Sequence, residues 1–195
     1  LFHLITHAFF KALLFLAVGS ILHAIDPQDA SRMGGLRRMR ITFVVYLTGA
    51  LALAGLPPLS GFFSKDEILA TAYEQSMILY LVLAAAGFLT AFYIARQVFL
   101  IFMGNSRSDA ARDAHESKPL LIYPLIALAV GAILGSVINL PGSAFLEHWL
   151  ADTTGEIEST PFNLPVAALS TLIALAGIAL AYALYHKYRA VDPLE

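Results

Sequence analysis

Apolar residues in this chain come in long runs separated by short polar stretches. A helix that spans a bilayer needs about 20 consecutive, mostly apolar residues. Four segments meet that requirement: Leu1–Ile25, Met77–Met103, Pro119–Leu140 and Leu164–Tyr185. The polar residues gather in 26–40, 104–118 and 141–163.

The segment 41–76 breaks the pattern. Ile41 to Leu56 is apolar and helix-like, and Gly55-Leu56-Pro57-Pro58-Leu59-Ser60-Gly61 then interrupts it. Pro57 and Pro58 each lack a backbone donor, and the residue before each is pushed away from helical geometry. From Phe62 a helix can resume. Backbone broken at membrane depth must be buried in protein or line a wet cavity.

Charge placement decides whether 41–76 crosses once or twice. Loop 26–40 carries Arg32, Arg37, Arg38 and Arg40, loop 104–118 carries Arg107, Arg112 and Lys118, and the tail carries Lys187 and Arg189. Segment 141–163 has no Lys or Arg but holds Glu147, Asp152, Glu156 and Glu158. Basic residues near spanning helices stay on the cytoplasmic side. A single crossing puts all three basic segments there. The expectation is an all-α polytopic bundle of about five crossings. Its helices are about 1–25, 41–56 plus 62–76 as one discontinuous element, 77–103, 119–140 and 164–185.

Composition agrees. Of 195 residues, 58% are hydrophobic and 13% charged, and mean hydropathy is +0.73. Soluble domains carry about 25% charged residues. A net charge of −2 gives no reason to expect a nucleic-acid partner. With no cysteine there is no disulfide, thiolate-held cluster or cysteine nucleophile. Residue 1 is Leu inside an apolar stretch, with no initiator Met or signal peptide. The chain therefore reads as a piece of a longer protein.

The candidate chemistry lies in two places. His3, His7 and Lys11 are spaced i, i+4, i+8 and fall on one helical stripe, which His23 continues with more drift. A charged lysine at the bilayer centre costs roughly 2.5–3.5 kcal/mol, so Lys11 should face protein or water. Histidine and a lysine out of water both exchange protons near neutral pH, which suits a proton wire. The plainer use of these groups is hydrogen bonding between helices. Two histidines four apart can also share a metal. No carboxylate lies near them and the glutamate of an H-E-x-x-H motif is missing, so no metal is expected.

The second place is Gly61-Phe62-Phe63-Ser64-Lys65-Asp66-Glu67-Ile68-Leu69, after the proline break. Ser64 is a candidate helix cap. Lys65 beside Asp66 and Glu67, at the mouth of a half-helix, is an arrangement that transporters use to hold ions. Glu67 and Glu74 serve equally well as interface or capping residues. Arg96 reads as a snorkelling anchor, and His115, His148 and His186 as bystanders. Phe145 to Leu150, with Trp149, reads as an interfacial turn. No nucleotide-binding glycine signature or Ser/His/Asp grouping is present, and the chain has no means of redox chemistry.

Phe2-His3-Leu4-Ile5-Thr6-His7-Ala8-Phe9-Phe10-Lys11-Ala12-Leu13-Leu14-Phe15-Leu16 followed by Gly19-Ser20 closely resembles the antiporter-like membrane subunits of respiratory complex I, NADH:quinone oxidoreductase. Ala52-Leu53-Ala54-Gly55-Leu56-Pro57-Pro58 with Gly61 to Leu69 resembles the distal, chain-L branch of that family. Arg32-Met33-Gly34-Gly35-Leu36 and Thr90-Ala91-Phe92-Tyr93 with Arg96 also look like it. The resemblance implies proton translocation driven by electron transfer in other subunits. Lys11, His7 and His3 would belong to the central polar axis, and Lys65 with Asp66 to the proton exit path. It implies no cofactor in this chain, with NADH, FMN, iron–sulfur clusters and quinone on partner subunits. The other membrane subunits and the lipid bilayer would be its partners. The setting would be a bacterial-type inner membrane or an equivalent energy-converting membrane, with loops 26–40 and 104–118 and the tail cytoplasmic. The glutamate–lysine pair of the family's first half is absent, as is the lateral helix expected after Glu195, so residues 1–195 would be part of a translocation unit. The large subunit of multi-subunit sodium/proton antiporters carries similar motifs and is the alternative reading.

Overall fold

The computed structural model describes residues 1–25, 29–139, 145, 146, 149, 152 and 162–186. Among these the regular structure is helical, with no strand. The helices are α1 (Phe2–Ala24), α2 (Arg40–Ala54), α3 (Ser60–Gln75), α4 (Met77–Phe102), α5 (Asp109–Asp113), α6 (Pro119–Leu134) and α7 (Leu164–Tyr185). A 3-10 turn, Gly135–Asn139, extends α6. Four helices are long and apolar enough to cross a membrane: α1, α4, α6 with its 3-10 turn, and α7. The shorter apolar helix is α2.

Contacts place the helix ends. Ser20 Oγ of α1 lies 3.2 Å from Thr42 Oγ1 of α2 and 2.7 Å from Ser117 Oγ just before α6. The Gly35 N–H donates to the Met103 carbonyl (3.2 Å), and the Arg107 N–H to that of Met33 (2.8 Å). The end of α7 joins this face, because Tyr185 Oη accepts from Arg96 Nε at 2.9 Å. The two basic loops and the end of α7 thus share one face of the bundle. The tail itself, Lys187 to Glu195, lies outside the described residues, as do Glu147, His148, Glu156 and Glu158.

The discontinuous element completes one crossing. From the loop face α2 runs to Gly55, which takes the left-handed conformation (φ 80°). Gly55 N–H bonds to the Ala52 carbonyl and Leu56 N–H to that of Leu51, both at 3.1 Å, the pattern of a Schellman end. The Pro57–Pro58 peptide is cis. Then α3 begins at Ser60 and runs on to the far face, where Ser76 caps α4 by accepting from the Leu79 N–H. The break is tight. A Cβ on Gly61 would collide with the Ala52 carbonyl, so only glycine lets the half-helices approach this closely. Both halves start and stop slightly earlier than the apolar pattern predicts, at Ala54 rather than Leu56 and at Ser60 rather than Phe62.

Helix packing needs small residues where no hydrophobic force drives association in lipid. Here Ala17, Ala50, Ala52, Ala91, Ala129, Ala132 and Ala174 are buried among Phe10, Leu13, Tyr46 and Leu125. A Cβ on Gly177 of α7 would lie 2.6 Å from the Phe88 carbonyl of α4, which shows how closely those helices pack. Large apolar side chains such as Ile78, Leu81 and Leu120 face outward, as lipid contact requires. Phe145 and Trp149 are exposed while Leu146 is buried.

Candidate functional site

The two sequence candidates meet at one point. In α1 the buried stripe is Phe2, Thr6, Phe10, Leu13 and Ala17, and His3, His7 and Lys11 run along its edge, each half-buried. The His3 and His7 rings lie 5.8 Å apart, centroid to centroid, and His7 meets Phe10 edge-on at 5.3 Å. Ser64 of α3 joins the stripe: its Oγ is 3.0 Å from His3 Nδ1 and 2.9 Å from Thr6 Oγ1. Thr6 Oγ1 also donates to the His3 carbonyl at 3.2 Å. One residue further along α3, the lysine of the second candidate begins.

Ser64 does not cap α3. The helix starts four residues earlier, with Leu59 at the cap position and no side-chain cap bond. Ser60 instead donates to the Ala132 carbonyl at 2.7 Å, tying the start of α3 to α6. Lys65, Asp66 and Glu67 therefore sit in the second turn of α3, not at its mouth. A serine before a charged run has the composition of a cap; the early restart after the prolines moved it inside the helix.

Lys65 lies among glycines. A Cβ on Gly55 would be 3.2 Å from Lys65 Cδ, and one on Gly87 of α4 would be 3.9 Å from Nζ. Lys65 has no hydrogen-bond or ion-pair partner among the described residues. Asp66 is 2% exposed, and its carboxylate accepts from Ser170 Oγ of α7 at 3.4 Å. Lys65, Asp66, Tyr80 and Ser170 border one small cavity. Sequence reading missed Thr6, Tyr80 and Ser170. Hydroxyls scattered through apolar helices carry no signal until packing brings them together.

Lys11 lies on the α1 stripe, but its Nζ stands over the ring of Phe15, 5.7 Å from the centroid. Among the described residues no hydrogen bond or ion pair ties it to the histidines or to Lys65. Arg96 is no free anchor. Its Nε donates to Tyr185 Oη and its guanidinium stacks 5.4 Å from that ring, joining α4 to α7. His186 stacks on Tyr182 at 4.6 Å. Among the described residues no group of three or more His, Cys, Asp or Glu is placed to hold a metal. The arrangement places the hydroxyls of Ser64 and Thr6 and the His3 ring, groups that can each donate and accept a proton, next to half-buried Lys65 and buried Asp66.

Residues 1–92 match the family described as NADH:quinone oxidoreductase/Mrp antiporter, TM. NADH-quinone oxidoreductase subunit L of Rickettsia conorii is 45% identical over 142 residues, which is 71% of this chain and 22% of that protein. Subunit L of Mycobacterium tuberculosis is 38% identical over 193 residues, 94% of this chain and 30% of that protein. NAD(P)H-quinone oxidoreductase chain 5 of a Picosynechococcus species is 36% identical over 229 residues, 99% of this chain and 34% of that protein. The chain thus spans between 22% and 34% of the length of these relatives. With the broken α2–α3 element and the His3–Ser64 junction in place, the chain belongs to the family of antiporter-like membrane subunits of NADH:quinone oxidoreductase, the one that includes subunit L and chain 5.

Proposed function

We propose that this chain is part of a proton-translocating module in the membrane arm of NADH:quinone oxidoreductase. The observation that carries the reading is the junction of His3, Thr6 and Ser64 beside Lys65. It links a polar stripe on one helix to half-buried Lys65 and buried Asp66 after a helix break. Protons would pass along His3, His7 and Lys11 and leave through Lys65 and Asp66. The charge on Lys65 responds to charges nearby, because a cation out of water is poorly screened. Electron transfer elsewhere in the assembly would shift that balance and so drive the transfer. NADH, FMN, iron–sulfur clusters and quinone would reside on partner subunits. The basic loop face would lie in the cytoplasm of a bacterial-type membrane.

The test uses the full-length chain. Tagged and purified in mild detergent, it should bring NADH:quinone reductase activity and iron–sulfur signals with it. A Lys65→Ala variant should then assemble normally but pump fewer protons per NADH in inverted vesicles. Normal pumping by a normally assembled variant overturns the role of Lys65. An intact assembly with sodium-dependent proton exchange and no reductase activity would favour the antiporter alternative.

A further inference from the structure

Lys65 and Asp66 are consecutive on α3, and consecutive helical side chains diverge by about 100° and do not face each other. Yet both border one cavity of about 20 Å³, shared with Tyr80 of α4 and Ser170 of α7. That volume admits about one water centre. Asp66 accepts from Ser170, which leaves acceptor capacity on its carboxylate. Tyr80 is 5% exposed, and its buried hydroxyl has no hydrogen-bond partner among the described residues. A buried hydroxyl without a partner is costly, and a phenylalanine would fill the same space without that cost. Water in such a site commonly makes three hydrogen bonds. Lys65, Tyr80 and Asp66 offer two donors and an acceptor.

We propose that this cavity is a one-water site in which the Tyr80 hydroxyl positions the water that carries a proton between Lys65 and Asp66. The proposal rests on the reading of those two residues as proton-transfer groups. The Lys65 ammonium gives up an N–H proton to the water oxygen, and the water passes one of its own protons to a carboxylate oxygen of Asp66. One N–H and one O–H bond break, two O–H bonds form, and the water is restored. Tyr80 exchanges no proton. It donates a hydrogen bond to the water oxygen and holds it in line.

The experiment uses the assembled full-length enzyme with Tyr80→Phe, which keeps the ring beside Tyr73 (5.5 Å between centroids) and removes one oxygen. NADH-driven proton uptake should slow by about 2- to 10-fold, the effect of one hydrogen bond of ordinary net strength, with assembly and KM for NADH unchanged. A cryo-EM map fine enough to show waters should place density within hydrogen-bond distance of Tyr80 Oη in the parent enzyme. An unchanged rate in Tyr80→Phe overturns the proposal. So does a dry cavity in the parent map, a result that needs no variant to assemble. If the underlying functional reading is at fault instead, Lys65→Ala pumps normally.

Discussion

The polar groups at the start of α2 and those beside the helix break in α3 are built on opposite terms. At the loop face, charge meets backbone. Glu116 accepts from the Ile41 N–H at 2.8 Å and the Thr42 N–H at 3.3 Å, and from the Thr42 hydroxyl, so it caps the start of α2. Arg107 donates to the carbonyls of Ala30 and Leu100, and Arg38 to the carbonyl of Arg112 and the Ser106 hydroxyl. Next to the helix break, charge meets little. Asp66 has Ser170 at 3.4 Å, and among the described residues Lys65 has no hydrogen-bond or ion-pair partner. Groups that hold architecture use up their bonding capacity on backbone. Ionisable groups kept inside a membrane with capacity to spare mark a path for ions or protons. The contrast separates arginines and glutamates that hold architecture from the residues proposed to carry protons.

The comparison can be broken by substitution. The largest effect belongs to the helix break. Lys65→Ala should lower proton uptake in inverted vesicles by about 100-fold, the low end of what a positioned proton-transfer group contributes, while the assembled complex keeps its yield. Next comes the close approach of the half-helices. Gly61→Ala forces a methyl onto the Ala52 carbonyl and should destabilise by about 1–3 kcal/mol, seen as a lower midpoint in thermal unfolding of the purified assembly. At the loop face, Glu116→Ala should cost about 1 kcal/mol in the same assay, as a lost helix cap does, yet leave pumping per assembled enzyme at the parent level. Loss of pumping there would erase the distinction between the loop face and the helix break. The smallest effect is expected for Ser64→Ala, about 0.6 kcal/mol of stability, the mean for hydrogen bonds between membrane helices. Its pumping rate would sharpen the comparison, because among the described residues Ser64 joins the α1 stripe to α3 through its bonds to His3 and Thr6.

Much of this molecule is written in short-range pattern. The four long spans follow from apolar run length, and the break follows from Pro57 and Pro58, since proline geometry acts on its immediate neighbours. The common face of the basic loops follows from counting Arg and Lys. The identity of Lys65 and Asp66 as candidates needed only their position after the break. Other features were out of reach. Ser64 read as a cap because local composition cannot reveal where a helix restarts after a tight turn. Arg96 read as an interfacial anchor, and its partner Tyr185 lies 89 residues further along the chain.

What the sequence determined by itself was periodicity and charge: which segments cross, where the chain breaks, and which ionisable groups must be shielded from lipid. Tertiary structure alone decided which of those groups meet. His3 reaches Ser64 across 61 residues of chain, and Asp66 reaches Ser170 across 104. Lys11, on the same stripe as His3, stands over Phe15 instead. The physical reason is that helix faces are set by local hydrogen bonds, whereas the partner each face finds is set by packing of small residues between distant helices.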